Sequence, residues 1–206
     1  MIRSGRGPAA PAAALLIAAA LLTGCGDDSD EPADSSGGTA ASAEGYSLEL
    51  PQGWTKADDE TTEELDAAAD PTVDEIAGEG AGAAIDATEI FFREGEGPFR
   101  TNLNVIPEPM PEGLSLDQVA AQGATLIAEQ LPEGVVDSGP DETTLDGEEA
   151  YEMRYSASQT DQELQFAVVQ ALHEGTVYSI TLTAGEDEFE EAEAEFEQII
   201  DSWNWS

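Results

Sequence analysis

The chain has 206 residues, of which 40% are hydrophobic and 6% aromatic, and its 6 Lys and Arg against 45 Asp and Glu give a formal net charge of −39 at pH 7. Direct nucleic-acid binding is excluded, because neutralising phosphates requires clustered Lys and Arg that this chain lacks. The apolar content excludes a wholly disordered acidic chain, and the length leaves room for one ordinary domain behind the N-terminal segments.

The N-terminus has the pattern of a secretory signal. Arg3 and Arg6 precede a run of Ala, Leu and Ile over residues 9–22 that only Pro11 interrupts. As a helix this run would span roughly 21 Å, which is short of the ~30 Å hydrocarbon core of a bilayer. The sequence therefore predicts a signal peptide over residues 1–24 rather than a permanent membrane-spanning helix.

The apolar run ends in Leu22-Thr23-Gly24-Cys25, which resembles the lipobox of bacterial lipoproteins. The resemblance implies that the Cys25 sulfur receives a diacylglyceryl group through a thioether and that a peptidase cleaves between Gly24 and Cys25. Two acyl chains, at about 0.8 kcal/mol per buried CH₂, would make such anchoring long-lived. The alternative is an ordinary signal peptide with an incidental cysteine. Cys25 is the only cysteine, so the domain has no disulfide, no cysteine nucleophile and no Cys-based zinc site.

The segment behind the cysteine is too polar to fold. Residues 26–44 contain no aromatic or branched apolar side chain. We therefore expect residues 25–44 to be the lipidated cysteine and a flexible acidic tether, with an r.m.s. reach of about 24 Å. A single folded domain is expected over residues 45–206.

In the first half of this domain, alternating apolar residues predict three strands, over residues 45–50, 86–92 and 99–106. Trp54 follows the first strand as an expected core anchor. Residues 55–84 are rich in acids and glycines and predict a mobile loop with a short helix near 61–69.

The third predicted strand has two different faces. Its apolar face comprises Phe99, Thr101, Leu103 and Val105, and its polar face comprises Arg100, Asn102 and Asn104. Pro107, Pro109 and Pro111 follow, and we expect them to end the hydrogen-bonded ladder because proline has no N–H to donate.

The second half predicts a helix, a meander and a final helix. Ser115 and Gln118 fit a capping box, which begins a helix that Pro132 stops. An antiparallel meander follows over 142–145, 150–158, 163–173 and 176–184, and its 163–173 strand is apolar on both faces, as expected of a central strand. Residues 186–203 predict an amphipathic helix. The fold class is therefore α+β, with an antiparallel sheet of about six strands flanked by two helices.

Several segments resemble the PsbP-like superfamily, which includes the actinobacterial LpqN-type lipoproteins. The matching segments are Gly45-Tyr46 through Pro51-Gln52-Gly53-Trp54, Leu145-Asp146-Gly147-Glu148-Glu149-Ala150-Tyr151, Gly175-Thr176-Val177-Tyr178, and the last helix with Phe196 and Trp203. The resemblance implies a PsbP-like sandwich and an adaptor role, since some members attach to photosynthetic membrane complexes and others bind a small GTPase or other proteins. It carries no shared catalytic residues, and residues 55–84 depart from the pattern.

No catalytic, metal or cofactor site is predicted. His173 is the only histidine and is expected to be a solvent-facing residue of a hairpin turn, which excludes a histidine-cluster metal site. The Gly78-x-Gly80-x-x-Ala83 pattern resembles a dinucleotide fingerprint but neither follows a clear strand nor begins a helix. Adjacent acids such as Glu148-Glu149 are expected by chance at this composition, and Asp141–Asp146 lacks the glycine that a calcium loop requires.

We expect the protein to be a non-enzymatic binding module. Its lipid anchor would hold it on the outer face of the cytoplasmic membrane. Its expected partners are the membrane, through the anchor, and an envelope protein or cell-wall component. Two alternatives remain open: an envelope hydrolase that uses two carboxylates between the 55–84 loop and the sheet, and a carrier of a small ligand or cation. The large excess of Asp and Glu has two possible roles. It would keep the protein soluble at high external salt, or it would repel the domain from anionic wall polymers and lipid head groups.

Overall fold

The computed structural model describes residues 39–43, 45–58, 89–95, 99–130, 135–159 and 162–206. The described elements are, in chain order, β1 (Thr39–Ala43), β2 (Tyr46–Leu50), β3 (Trp54–Lys56), β4 (Glu89–Arg93), β5 (Asn102–Pro109), α1 (Leu116–Gln130), β6 (Val135–Leu145), β7 (Glu148–Gln159), β8 (Gln162–His173), β9 (Thr176–Gly185), α2 (Phe189–Asp201) and β10 (Asn204–Trp205). The predicted signal peptide, Cys25 and the 61–69 helix lie outside the described residues. Neither described helix is long and apolar enough to cross a membrane.

The strands form two antiparallel sheets, as the predicted α+β sandwich requires. The large sheet has the order β3-β4-β5-β9-β8-β7-β6, and the small sheet has the order β1-β2-β10. The predicted meander is confirmed as β6 to β9. Its two-residue turns use positive φ angles, +45° and +83° at Asp146 and Gly147, and +48° and +81° at Glu174 and Gly175. Turns of this kind match the twist of the strands that they join.

The first face of the large sheet packs against α2 and the small sheet. This core is built from alternate side chains of the central strands and the apolar face of α2. Its fully buried members include Leu103, Val105, Ala171, Ile180, Leu182, Ala192 and Ile199. Trp54, the predicted anchor, is buried in the same core. α2 therefore covers the centre of the sheet with the apolar stripe that the sequence predicts.

The second face carries a separate apolar cluster beneath α1. The cluster comprises Phe99, Ile127, Met153, Tyr155, Ala157, Leu164, Phe166 and Val168. Phe99 was expected on the opposite side with Leu103, but β5 begins only at Asn102, so the alternation does not reach it. One of the two hydrogen bonds of the predicted capping box forms, since the Ser115 N–H donates to Gln118 Oε1 at 3.1 Å. The Ser115 hydroxyl instead donates to the side chains of Asp117 and Gln118. Strand β8 is buried on both faces, as predicted.

The prolines do not end β5. Pairing with β9 continues to Pro109 opposite Thr176. The N–H of Met110 donates to the Gly175 oxygen at 2.8 Å, and N–H groups alternate sides along a strand, so the nitrogens of Pro107 and Pro109 point away from β9. On the other side of β5, the described pairing with β4 covers only Asn102 to Val105. The missing proline donors therefore cost no hydrogen bond to β9.

The folded domain begins earlier than residue 45. Thr39–Ala43, which we expected within the tether, pair as β1 with the whole of β2. Ala41 and Ala43 pack against the first-face core. The sequence did not predict this strand because its side chains are small and polar, and because backbone pairing with β2 is what orders it.

Two arginines hold α2 against the sheet from opposite sides. Arg93 on β4 makes two hydrogen bonds to Glu195, at 2.7 and 3.0 Å, and Trp54 Nε1 donates to the same carboxylate at 2.7 Å. Arg154 on β7 pairs with Glu193. The side chain of Arg93 is only 14% exposed, so its ion pair is better shielded than a surface pair. The dense acids of α2 are therefore partly neutralised where the helix meets the sheet.

Removal of β1 should destabilise the domain. A chain that begins at residue 45 should lose about 2 kcal/mol of unfolding free energy relative to one that begins at residue 39, because it loses the ladder to β2 and the packing of two alanines. Thermal unfolding measures the difference. The control is the mature chain without residues 26–38, which should have the same melting temperature as the complete mature chain. Equal melting of the chains that begin at 39 and 45 would show that β1 contributes nothing.

Candidate binding site on the second face of the sheet

The second face of the large sheet has a polar centre. We call six of its side chains the polar strip: Asn102 and Asn104 on β5, Ser179, Thr181 and Thr183 on β9, and Gln170 on β8. The pairing places Asn102 opposite Thr183, Asn104 opposite Thr181, and Gln170 opposite Ser179. All six are at least nine-tenths buried. The apolar cluster beneath α1 borders the strip on one side, and Ile90 and Phe92 of β4 border it on the other.

Two acceptors of the polar strip have no hydrogen-bond partner. The Gln170 Nε2 group donates to Ser179 Oγ at 3.1 Å, and the Asn102 Nδ2 group donates to the Arg100 oxygen at 3.1 Å. Asn104 Oδ1 and Gln170 Oε1, however, are buried and unpartnered. Asn104 is only 2% exposed and Gln170 only 3%. The strip therefore contains two buried oxygen acceptors whose hydrogen-bonding capacity is unused.

Unpartnered buried amides are costly to a fold. Each costs about 1–3 kcal/mol relative to a hydrogen-bonded or apolar equivalent, while a domain retains only about 5–15 kcal/mol of stability. Asn is also disfavoured within strands. Local preferences that a sequence violates without structural gain are expected at functional sites. The polar strip is therefore the strongest candidate for a functional site in the described part of the chain.

Glu108 extends the polar face beyond the strip. It lies on β5 two residues after Ile106 and four after Asn104, so it shares their side of the sheet, opposite Val177. Partial burial raises the pKa of its carboxyl to about 7. Burial is the cause of this shift, because it removes water from the charged form. Near neutral pH this face of the sheet therefore carries a carboxyl group that exchanges its proton readily.

His173 does not face solvent as expected. Its ring stacks on Trp205 with centroids 4.4 Å apart, its side chain is 15% exposed, and its Nδ1 lies 3.4 Å from Glu148 Oε1. Trp205 in turn donates its Nε1 to the Leu145 oxygen at 3.1 Å. The C-terminal strand β10 covers the hairpin end, which the sequence could not show because the two segments are 32 residues apart. His173 therefore packs beside the docked C-terminus and lies outside the polar strip.

Most of the other sequence-predicted positions lie outside the described residues. These are Leu22, Thr23, Gly24 and Cys25 of the lipobox, and Gly78, Gly80 and Ala83 of the fingerprint-like pattern. The Glu148-Glu149 pair lies at the start of β7 and Glu190-Glu191 in the first turn of α2. Within the described ranges, no three or more His, Cys, Asp and Glu side chains are grouped as metal ligands would be.

The sequence contained the polar strip but did not reveal its burial. Alternation places Asn102 and Asn104 on one side of their strand, and Ser179 and Thr181 on one side of theirs. A signal was nonetheless present: two strands that each carry polar residues at every second position become a single polar area once they are neighbours. Only the pairing of β5 with β9 brings the two sets together.

The sequence model described as PsbP-like protein matches residues 31–205. The chain belongs to the PsbP-like family. The family match begins eight residues before β1, which agrees with a domain that starts ahead of residue 45.

Solved structures share the PsbP-like fold at low sequence identity. LpqN of Mycobacterium tuberculosis, described as involved in cell envelope biogenesis, has a TM-score of 0.52 and 14% identity over 82% of this chain and 85% of its own. The cyanobacterial PsbP of Synechocystis sp. PCC 6803 has a TM-score of 0.55 and 16% identity over 90% of this chain and 99% of its own. No curated protein sequence matches the chain significantly.

Substitution of Asn104 should stabilise this PsbP-like domain. Asn104→Leu removes a buried acceptor without a partner and should raise the unfolding free energy by about 1 kcal/mol. Denaturant unfolding measures the change. Asn204→Leu is the control, because Asn204 is exposed and already donates to the Ser202 oxygen at 2.7 Å, so it should give no gain. A clear loss of stability in Asn104→Leu would mean that the acceptor is satisfied in solution.

Glu108 should make stability depend on pH. Its folded-state pKa of about 7 lies above the ordinary value of 4.5, so the folded protein holds this proton more tightly than the unfolded chain. The stabilisation from this proton is complete below about pH 4.5 and is lost as pH rises through about 7. Glu108→Gln should therefore be more stable than wild type at pH 8 by about 1 kcal/mol, a figure reduced because solvent still screens the carboxylate.

Denaturant unfolding at pH 5 and pH 8 measures this difference. The same substitution at exposed Glu112 in the next turn controls for the general loss of one negative charge. If the two variants differ from wild type equally at both pH values, Glu108 has no special environment.

Proposed function

We propose that the protein is a lipid-anchored, non-enzymatic binding module on the outer face of the cytoplasmic membrane. The observation that carries the binding role is the polar strip with its two unpartnered acceptors. Buried acceptors with no partner in the chain are suited to receive hydrogen bonds from a ligand. The anchor and the ligand site then act together, because the anchor holds the site beside the membrane.

The chemistry of the strip favours binding over catalysis. Its side chains are amides and hydroxyls, which hold a ligand but do not exchange protons near neutral pH. The Ser179 hydroxyl is contacted by the Gln170 amide at 3.1 Å, and an amide is not a base that could activate it as a nucleophile. Burial raises the pKa of Glu108 on this face to about 7, but Glu108 lies beyond the strip.

The envelope location is supported by the N-terminal sequence and the family. Leu22-Thr23-Gly24-Cys25 directly follows the apolar run of the signal. LpqN, which shares the fold, is described as involved in cell envelope biogenesis. An envelope protein or cell-wall component is accordingly the proposed partner class, and the −39 net charge favours partners that are neutral or positively charged.

The anchor is tested by Cys25→Ser. This variant should lose all labelling by radioactive fatty acid, accumulate as the uncleaved precursor and no longer yield the lipidated mature form, because serine offers no sulfur for the thioether. Thr23→Ser is the matched control, since it keeps a small residue beside the cleavage site, and it should be labelled as wild type is. Persistent labelling of Cys25→Ser, or a mature N-terminus elsewhere than residue 25 by mass spectrometry, would overturn the anchor. Turnover of cell-wall material by the purified protein would overturn the non-enzymatic role.

A further inference from the structure

The polar strip has a definite donor and acceptor character. Its two unsatisfied groups are both oxygen acceptors, Asn104 Oδ1 and Gln170 Oε1. Between them lie the hydroxyls of Ser179 and Thr181, which can accept as well as donate. A matching ligand must therefore supply several hydrogen-bond donors.

The sheet geometry sets the separation of these acceptors. Asn104 pairs with Thr181, and Gln170 pairs with Ser179, so the two amides lie on opposite sides of β9 and two residues apart along it. With strands about 4.8 Å apart and a rise of about 3.4 Å per residue, their Cα atoms are about 12 Å apart. Both side chains extend from the same face of the sheet. A ligand with donors at both ends of a short chain fits this arrangement better than a single small ion.

The electrostatics of the site favour a positive ligand. Glu108 lies on the same face in the row next to Ser179, and its carboxyl is partly buried. Three of the four cationic side chains of residues 39–206 are paired on the first face: Lys56 with Glu89, Arg93 with Glu195, and Arg154 with Glu193. The fourth, Arg100, lies over the Phe92 ring at the β4 border of the strip. The net charge of −39 adds a long-range attraction for cations.

We infer that the polar strip binds a small organic cation with N–H donors at both ends, of the diamine class. The inference rests on the proposed binding function and adds the chemical class of the ligand. The ammonium groups would donate to Asn104 Oδ1 and Gln170 Oε1, and hydrogen bonds to charged donors are stronger than neutral ones. A neutral polyol and ordered water are the competing occupants.

Calorimetry with 1,4-diaminobutane tests the inference on the mature protein in detergent. We expect saturable binding at one site that persists at about 150 mM NaCl, where the Debye length is roughly 8 Å. Binding of 1,4-butanediol should be at least about tenfold weaker. Asn104→Leu and Gln170→Leu should each weaken diamine binding at least about tenfold. Asn104→Asp keeps an acceptor oxygen and should therefore still bind the diamine. Gln198→Leu, an exposed amide on α2, is the matched control and should bind as wild type does.

The contrary outcomes separate the ligand class from the proposed function. Equal binding of the diol, again lost in Asn104→Leu, would overturn the cationic class and leave the binding function in place. Diamine binding that survives Asn104→Leu, or disappears in salt, would be adsorption to the acidic surface and would overturn the inference. No binding of either compound would overturn the inference. If Asn104→Leu is also destabilised, water fills the strip and the proposed binding function is overturned as well. Circular dichroism confirms that each variant is folded.

Discussion

Strands β8 and β9 must be covered on both faces, and most of the structure depends on that constraint. An antiparallel sheet commonly leaves one face to water, but here both sets of alternating side chains are buried along much of each strand. Helix α2 and the small sheet cover one face, and α1 covers the β6 to β8 side of the other. Because the domain has no cysteine after Cys25, packing rather than cross-linking holds these layers together.

The scarcity of positive charge gives each remaining cation a structural role. Arg93 and Arg154 lie on β4 and β7, on either side of the central strands, and each pairs with a glutamate of α2. Glu195 also accepts from Trp54 Nε1, so its carboxylate has several donors in place of lost water. Without these pairs, the glutamates of α2 would contribute only repulsion where the helix meets an acidic protein. These pairs set the position of α2, which in turn closes the core around Phe196 and Trp203.

Prediction from the sequence succeeded where local periodicity decides the outcome. The meander, the capped helix α1 and the apolar stripe of α2 all follow from spacing along the chain. The β1 strand, the extension of β5 through Pro109 and the stacking of His173 on Trp205 depend on partners distant in sequence. The polar strip belongs to the same group: alternation correctly placed Asn104 and Thr181 on one side of their strands, but only the packed sheet shows that this side is buried.

The position of β1 also bears on how the site would be presented. With β1 beginning at Thr39, the sequence-predicted tether is reduced to residues 26–38, and its expected r.m.s. reach falls from about 24 Å to about 20 Å. β1 and β10 flank β2, with Thr39 opposite Leu50 and Trp205 opposite Tyr46, so the chain enters the domain at the end of β2 that lies away from Trp205. The small sheet covers the first face, whereas the polar strip lies on the second. On the proposed anchor, the membrane attachment and the ligand site therefore belong to different sides of the large sheet.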